Sequence, residues 1–490
     1  MVNYDPVIGL EVHAELLTQS KMFCGCAVVD SSGAEPNSSV CEICTGMPGT
    51  LPVINQRAVE YAIRVALALN CSVAETSVFA RKNYFYPDLP KGFQISQYEL
   101  PLATDGWIEI EDPSAADSAK RVRIRRVHLE EDTGKLVHQE QHSLVDYNRS
   151  GVPLLEIVSE PDLRSVDEAR QYSLALRSLM RYLEVNSGDL EKGVMRFEAN
   201  VSVRPAGSDE LGTRTEIKNL NSFRALTRAV EYEIERQAEL LQSGEPVVQI
   251  TVGWDEDRQV TVSQRSKEEA HDYRYFPEPD LPPLHVEASW VDQIKAELPE
   301  LPAAKRSRFV TEYGLSAYAA GVLTAERSIA EYYEAAVDSA NETSPVKIAN
   351  WLSGDLFSLL NESSIEIEQS KVSSDALARL VTLVETGMIS AASGKIVLEV
   401  LFKDGGSPDS IVEGRDLAQL QDQSSIRVVV EQVLADNPGQ LADYLAGKTA
   451  LSEWFFGQIM KATQGKADPA AVRSELDSAL SILAENQSSR

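Results

Sequence analysis

Basic residues are in short supply in this 490-residue chain, where 46 Lys and Arg stand against 75 Asp and Glu for a formal net charge of −29. A protein that coats DNA or RNA without regard to sequence draws its affinity from neutralised phosphates and released counterions, so the deficit argues against that class. It leaves room for an RNA partner met by shape through local basic patches, helped by other subunits. Cysteine is scarce as well, with five in all. The start, Met1 to Leu10, lacks a charged region followed by an apolar one. Both facts lead us to expect no export signal, a reducing compartment and a cytoplasmic location. No stretch approaches roughly 18 consecutive apolar residues, so no membrane span is expected. There is no Walker-type Gly-x-x-x-x-Gly-Lys, no Gly-x-Gly-x-x-Gly after a strand and no Gly-x-Ser-x-Gly elbow, which speaks against the common phosphate, dinucleotide and serine-hydrolase sites. Internal repeats and long low-complexity tracts are absent too.

Four of the few cysteines fall together, as Cys24-Gly25-Cys26 and Cys41-Glu42-Ile43-Cys44, with 14 residues between the pairs. Two close thiol pairs joined by a loop can deliver four sulfurs to one point, as a tetrahedral structural zinc requires. The loop (Asp30, Ser31, Ser32, Gly33, Pro36, Asn37, Ser38, Ser39) is rich in turn formers and cannot build a core. Two adjacent disulfides are the alternative, disfavoured by a reducing compartment. We expect a zinc knuckle over 24–44. Cys71 follows an apolar helical run and reads as core.

A chain of this length holds several domains. Residues 1–295 read as α+β. Apolar or alternating runs at Val7–His13, Val122–Leu129, Leu154–Val158 and Val194–Val203 predict strands. The 3.6-residue periodicity of Val59, Ile63, Ala66 and Leu67 predicts a helix over 55–69. Tyr172, Leu176, Leu179 and Leu183 do so over 166–183, and Leu226, Val230, Ile234 and Leu241 over 222–242. Ser165 and Glu168 stand at capping-box spacing before the second of these. From 296 the texture is helix after helix. Lys403-Asp-Gly-Gly-Ser-Pro-Asp-Ser410 reads as a linker. We therefore expect an all-α domain over 296–410 and an all-α tail domain over 411–490, ending in a ragged Asn486–Arg490.

Chemistry-bearing residues concentrate in the first half. Glu11 and His13 are two apart and face the same way on a strand, while Leu10 and Val12 face the core. His128-Leu-Glu130-Glu131-Asp132 closes another strand. Glu156 interrupts an apolar one, where a charge is costly unless it meets a cation. Glu216, Lys218, Asn219 and Asn221 close a further run. Carboxylates converging with an imidazole suit Mg²⁺ or Mn²⁺, metals that bridge nucleotide phosphates. Each piece also has a plain reading. Glu11 and His13 fit a solvated stripe, Glu130–Asp132 an acidic turn, and Arg121-Val-Arg-Ile-Arg-Arg126 an edge strand charged against aggregation. The recurrence of acids at strand ends beside Asn, Lys and Arg favours a Mg²⁺- and nucleotide-using enzyme.

The same residues carry a resemblance. Ile8-Gly-Leu-Glu-Val-His-Ala-Glu-Leu16, Arg81-Lys-Asn-Tyr-Phe-Tyr-Pro-Asp-Leu-Pro-Lys91, Gln94-Ile-Ser-Gln97, His128-Leu-Glu-Glu-Asp132, the run Asp146 to Asp162, Lys218-Asn-Leu-Asn-Ser-Phe223 and Asp272-Tyr-Arg-Tyr-Phe-Pro-Glu-Pro-Asp280 resemble the B-subunit family of aspartyl/glutamyl-tRNA amidotransferases, GatB. Gly457-Gln-Ile-Met-Lys461 and Gly465-Lys466 extend the likeness to the tail. The resemblance implies a glutamine synthetase/guanido kinase-like catalytic domain. It implies a heterotrimer with an amidase A subunit, which draws ammonia from glutamine, and a small C subunit. The implied reaction is an ATP-dependent carbon–nitrogen ligation. The side-chain carboxylate of Glu misacylated on tRNA(Gln), or Asp on tRNA(Asn), is phosphorylated with ATP and Mg²⁺, and ammonia arriving through a channel displaces the phosphate.

By motif matching, Glu11, His13, Glu131 and Glu216 form the magnesium shell, Glu131 also being catalytic. Glu156, Lys218 and Arg149 contact metal or phosphate. Lys82, Asn83, Tyr84 and Tyr86 shape the ATP or aminoacyl pocket. In the tail, Lys448, Lys461, Lys466 and Arg473 meet tRNA phosphates, although Glu453 and Trp454 stand where small and basic residues are common. Many members lack the cysteine pairs, which implies a structural zinc. A non-catalytic tRNA-binding scaffold of the same complex is the alternative. The archaeal GatE relative is set aside because there is no room for its extra insert.

Overall fold

The computed structural model describes residues 3–30, 33–111, 119–265, 273–340, 343–419, 423–463 and 466–488. Ser31 and Ser32 of the cysteine loop, Asp272 and Gly465 of the motifs, and residues 489–490 of the expected tail lie outside them. The chain forms two compact units, Met1–Ala304 and Lys305–Arg490.

In the first unit the strands are β1 (Tyr4–Glu15), β2 (Ser72–Val73), β3 (Thr76–Ser77), β4 (Phe79–Asn83), β5 (Phe93–Gln97), β6 (Ala103–Glu111), β7 (Ala119–Glu131), β8 (Lys135–His138), β9 (Ser143–Asp146) and β10 (Pro153–Ser159). They continue with β11 (Met195–Pro205), β12 (Thr215–Leu220), β13 (Thr251–Asp255), β14 (Val260–Arg265), β15 (Phe276–Pro277) and β16 (Leu284–His285). Nine of them make one sheet in the order β14-β13-β12-β11-β1-β10-β7-β6-β2, antiparallel except for β12 beside β13. β15, β4 and β5 form a separate three-stranded sheet.

Alternation divides the large sheet into two faces. On β1, Leu10, Val12 and Ala14 are buried to one side, and on β11 so are Met195, Phe197, Ala199 and Val201. These join one core with residues of α1 (Gln56–Ala68), α2 (Val166–Tyr182) and α3 (Phe223–Gln242). The three helices match their predicted spans to within a residue. Their first turns are capped by Asn55, Ser165 and Ser222, whose side chains accept from free backbone N–H groups. Glu168 does not close a capping box, because its carboxylate is taken by the Arg164 backbone N–H and by Lys120. Glu11, His13 and Glu15 of β1 and Arg196, Glu198 and Asn200 of β11 are left on the other face.

Arg121–Arg126 does not lie on an edge strand. β7 pairs with β6 and β10 on its two sides, and Arg121, Arg123 and Arg125 are ion-paired with Glu109, Asp162 and Glu160. Their charge is locally neutralised rather than held out against aggregation.

The second unit is helical from Pro302–Tyr313 to Pro469–Ser488. One apolar cluster runs from Phe309 to Val412 and another from Ile426 to Leu480. The segment 403–410 is not an extended linker. It comprises the end of the helix Ala391–Asp404, a turn at Gly405 and Gly406, both at positive φ, and the start of the helix Pro408–Gly414. Val412 of that helix is buried in the same cluster as Leu401, and Asp409 pairs with Arg379 at 2.6 Å. Two glycines let the chain reverse there, and apolar burial holds the returning helix in place.

Candidate active site and metal centres

Register across the large sheet brings four polar residues into one row. His128 on β7 stands opposite Glu156 on β10, Glu156 opposite His13 on β1, and His13 opposite Arg196 on β11. Glu11 stands opposite Glu198, and Asn200 opposite Glu216 of β12. The row lines a cleft of about 900 Å³. Two sets of three side chains there offer ligand atoms all within 4.8 Å of one another: His13, Glu130 and Glu156, and Glu11, Glu198 and Glu216.

In the first set, Glu156 Oε2 lies 3.3 Å from both His13 Nε2 and His128 Nε2, and Arg126 approaches the other carboxylate oxygen, Oε1, at 3.7 Å. Burial opposes ionisation of Glu156, but the two imidazoles outweigh it and hold the carboxyl well below its usual range. Burial likewise opposes charge on His13, and the hydrogen bond to Glu156 with the nearby carboxylates lifts it to about 9. In the second set, Glu11 accepts from Asn200 Nδ2 at 2.8 Å, Glu216 accepts from Thr251 Oγ1 at 2.9 Å, and Lys218 sits 3.0 Å from Glu198. Burial and then the carboxylates Glu156, Glu198 and Glu216 push Glu11 upward. Three carboxylates crowded in this way suit a divalent cation.

One wall of the cleft is aromatic. Tyr98 stacks on Tyr275 with centroids 4.2 Å apart, and Tyr84 meets Tyr273 edge-on at 6.0 Å. Lys82 lies 5.2 Å from the Tyr273 ring centroid and 6.0 Å from that of Tyr84. Among the described residues no carboxylate lies within ion-pair distance of it. Tyr86 lines the cleft and is half exposed. Asn83 takes no part in the cleft. Its amide donates to the Arg81, Tyr273 and Arg274 carbonyls and fastens the tyrosine segment to β4.

Glu131 departs from its expected place. It follows Glu130 on β7 and so points to the opposite face, where Lys91 Nζ lies 2.5 Å away and the Ile95 N–H donates to it at 2.9 Å. There it lines a second cavity of about 200 Å³ with Cys24, Cys44 and Lys91. Alternation holds it away from Glu11 and His13, and it is Glu130 that lies beside His13, with Nε2 and Oε1 3.7 Å apart. Arg149 donates to the Thr133 and Gly134 carbonyls at 3.0 and 2.8 Å and stands 3.7 Å from Asp132, which pairs more closely with Arg196 at 2.8 Å.

Glu130, Glu198, Asp132, Arg126, Arg196 and Arg214 are cleft residues that the motif reading passed over. Arg196-Phe-Glu198-Ala-Asn200 alternates polar with apolar, and His128 and Glu130 are two apart like Glu11 and His13, so spacing alone held both signals. Nothing in the sequence marks Arg214, an exposed guanidinium with no acidic partner among the described residues. Asn219 at the rim adopts φ +64°, a left-handed conformation that Asn tolerates better than most residues.

A family profile described as the GatB/GatE catalytic domain matches residues 6–292, and one described as the GatB domain matches 331–480. The chain belongs to the GatB/GatE family. It is 51% identical over 484 residues to a Roseiflexus protein named as the B subunit of aspartyl/glutamyl-tRNA(Asn/Gln) amidotransferase, covering 98% of this chain and 99% of that one. Proteins of the same name from Persephonella marina and Nitratidesulfovibrio vulgaris are 50% and 52% identical over 479 and 482 residues, each covering 98% of this chain and 100% of the relative.

In this GatB/GatE chain the sulfurs of Cys24, Cys26, Cys41 and Cys44 also lie within 4.8 Å of one another. Hydrogen bonding from Cys24 is the main cause that draws Cys44 down to about 4, while the same bond and burial push Cys24 up. The loop is latched to the segment 146–151. Asp146 accepts from the Asn37 N–H at 2.9 Å, Asn148 accepts from the Ser39 N–H at 2.9 Å, and Ser150 donates to the Cys44 carbonyl at 3.0 Å.

The tail cations of the family motif are mostly engaged. Arg473 makes a two-point pair with Glu453, at 2.6 and 3.0 Å, and lies over the Phe456 ring at 4.5 Å. Lys448 pairs with Asp443 at 2.9 Å, and Lys466 pairs with Asp416. Lys461 alone of the four has no acidic partner among the described residues. No helix among the described residues is long and apolar enough to cross a membrane.

Proposed function

We propose that this chain carries the ATP-dependent step of a tRNA-dependent amidotransferase. The side-chain carboxylate of Glu on tRNA(Gln), or Asp on tRNA(Asn), is phosphorylated here, and ammonia released from glutamine by a partner amidase, the A subunit, replaces the phosphate. A small C subunit completes the heterotrimer, and the complex works in the cytoplasm. The observation that carries this reading is the pair of three-ligand groups side by side in one cleft.

The donor sets fit Mg²⁺. Five carboxylates and an imidazole are hard ligands gathered in one cleft. Bound there, Mg²⁺ supplies neutralisation of two anions, the nucleotide phosphates and the substrate carboxylate, that otherwise repel. The protein's own groups do the rest. His13 and His128 hold Glu156 ionised and oriented. Lys82, with no acid in ion-pair reach among the described residues, suits the substrate carboxylate. Lys218 and Arg214 suit the phosphates. The four tyrosines shape the pocket and exclude water from a reactive acyl phosphate. A sheet with one face under helices and the other open as a polar cleft supports the glutamine synthetase/guanido kinase-like reading. Four thiols around one point support a closed structural zinc knuckle at 24–44.

The test supplies ammonium in place of glutamine, with ATP, Mg²⁺ and radiolabelled Glu-tRNA(Gln), to the purified complex. Glu156→Gln and Glu216→Gln are expected to cut amidation by about 10²–10⁴-fold while glutaminase activity stays. Full amidation in both variants would overturn the assignment and favour a tRNA-binding scaffold.

A further inference from the structure

Lys21 is fully buried, and no carboxylate lies within ion-pair distance of it among the described residues. A lysine in that position is normally paired or neutral, because an uncompensated ammonium in low dielectric is costly. Its Nζ instead has three acceptors from two segments, the cysteine loop and the stretch after β9: the Ser39 carbonyl at 2.8 Å and Cys44 Sγ at 3.6 Å, and the Tyr147 carbonyl at 3.2 Å. Two carbonyl dipoles satisfy donors but carry no net charge. The counter-anion within reach is the cysteine cluster. Four thiolates around a divalent ion carry a net charge of −2, and one adjoining ammonium halves it.

We propose that Lys21 is the internal counter-cation of the four-cysteine metal centre, donating an N–H···S hydrogen bond to Cys44 that lowers the nucleophilicity of the metal-bound thiolates. The inference rests on the zinc reading of the cysteines. Its physical basis is that a hydrogen bond from a cation withdraws electron density from sulfur, and a less basic thiolate attacks electrophiles more slowly. The centre then keeps its metal in the presence of oxidants and alkylators. Through the Ser39 and Tyr147 carbonyls, the same ammonium ties the knuckle to the segment that bears Arg149.

The experiment uses the purified complex with wild-type chain, Lys21→Gln and Lys21→Arg. Gln keeps a donor for the carbonyls and removes the charge, whereas Arg keeps the charge. Zinc per chain is measured first. Release is then followed with a chromogenic chelator during N-ethylmaleimide treatment, in which each sulfur forms a C–S bond as its Zn–S bond breaks. Release is expected to be about 10- to 100-fold faster in Lys21→Gln, with Lys21→Arg close to wild type. In Co²⁺-substituted protein the thiolate-to-cobalt charge-transfer bands should move to lower energy in Lys21→Gln only. Equal release rates and identical bands in wild type and Lys21→Gln would overturn the inference and leave Lys21 a backbone clamp. A wild type that binds no zinc would overturn the metal reading itself, a separate outcome. Should Lys21→Gln not fold, Lys21→Met reconstituted with Co²⁺ takes its place: faster release and shifted bands support the inference, and wild-type behaviour overturns it.

Discussion

The cleft and the tail hold the same residue types and use them differently. In the cleft, Glu11, Glu198 and Glu216 crowd together, and Lys218 pairs with two of them, Glu198 and Glu216. In the tail, Arg473, Lys448 and Lys466 each have an acid of their own. Charge that is already balanced has little to offer a ligand, whereas charge left over in a buried group is a stored demand for one. Counting charged residues therefore misleads. What counts is which of them the fold crowds together with like charges.

The comparison breaks most sharply at the carboxylates. Glu198→Gln removes one of three crowded negative charges, so amidation should fall about 10²-fold or more while the melting temperature holds or rises. A large fall in melting temperature instead would make the group structural. Replacing Cys44 by Ala should abolish metal content and lower the melting temperature by about 2–4 °C for each kcal/mol lost, measured by metal analysis and calorimetry. Unchanged melting would leave the knuckle without a stabilising role. In the tail, Lys461→Ala should weaken tRNA binding and reduce the salt slope by about 1. Arg473→Ala should change the slope little, because Glu453 already holds it, and Glu453→Ala should tighten binding by freeing it. Filter binding over a salt series separates these outcomes. The smallest effect is at Asp162, whose carboxyl Arg123 holds below its ordinary range although burial works the other way. A lowered folded-state value means stability fully present above the unfolded value near 4 and lost as the pH falls on through the lower folded-state value. Asp162→Asn should therefore cost about 0.5–1 kcal/mol near neutrality, a difference that closes below about pH 4 in chemical denaturation.

Much of the first unit was legible. The three helices announced themselves through apolar periodicity, the second also through Ser165 as a cap, and β1, β7, β10 and β11 through alternating or apolar runs. Alternation also indicated which acid of the pair Glu130–Glu131 shares a face with His128. His128 faces the cleft, so Glu130 must as well, and Glu131 must not. The motif match overrode that parity. Lys403–Ser410 misled in the opposite sense, because composition reports flexibility of the free chain but not the burial of Val412 that folds it back.

What the sequence determined by itself was local: which segments become strands and helices, which face of each is apolar, and that four thiols and many carboxylates sit in motif-dense runs. These follow from backbone geometry and the period of side-chain direction, which act over a few residues. Tertiary structure alone decided that Glu11, Glu198 and Glu216 share one point, that Arg473 is spent on Glu453, and that Lys21 lies against Cys44. Those outcomes depend on strand order, register and burial across long stretches of chain. The energy of a charge is set by what surrounds it in space, a property that no short stretch of sequence carries.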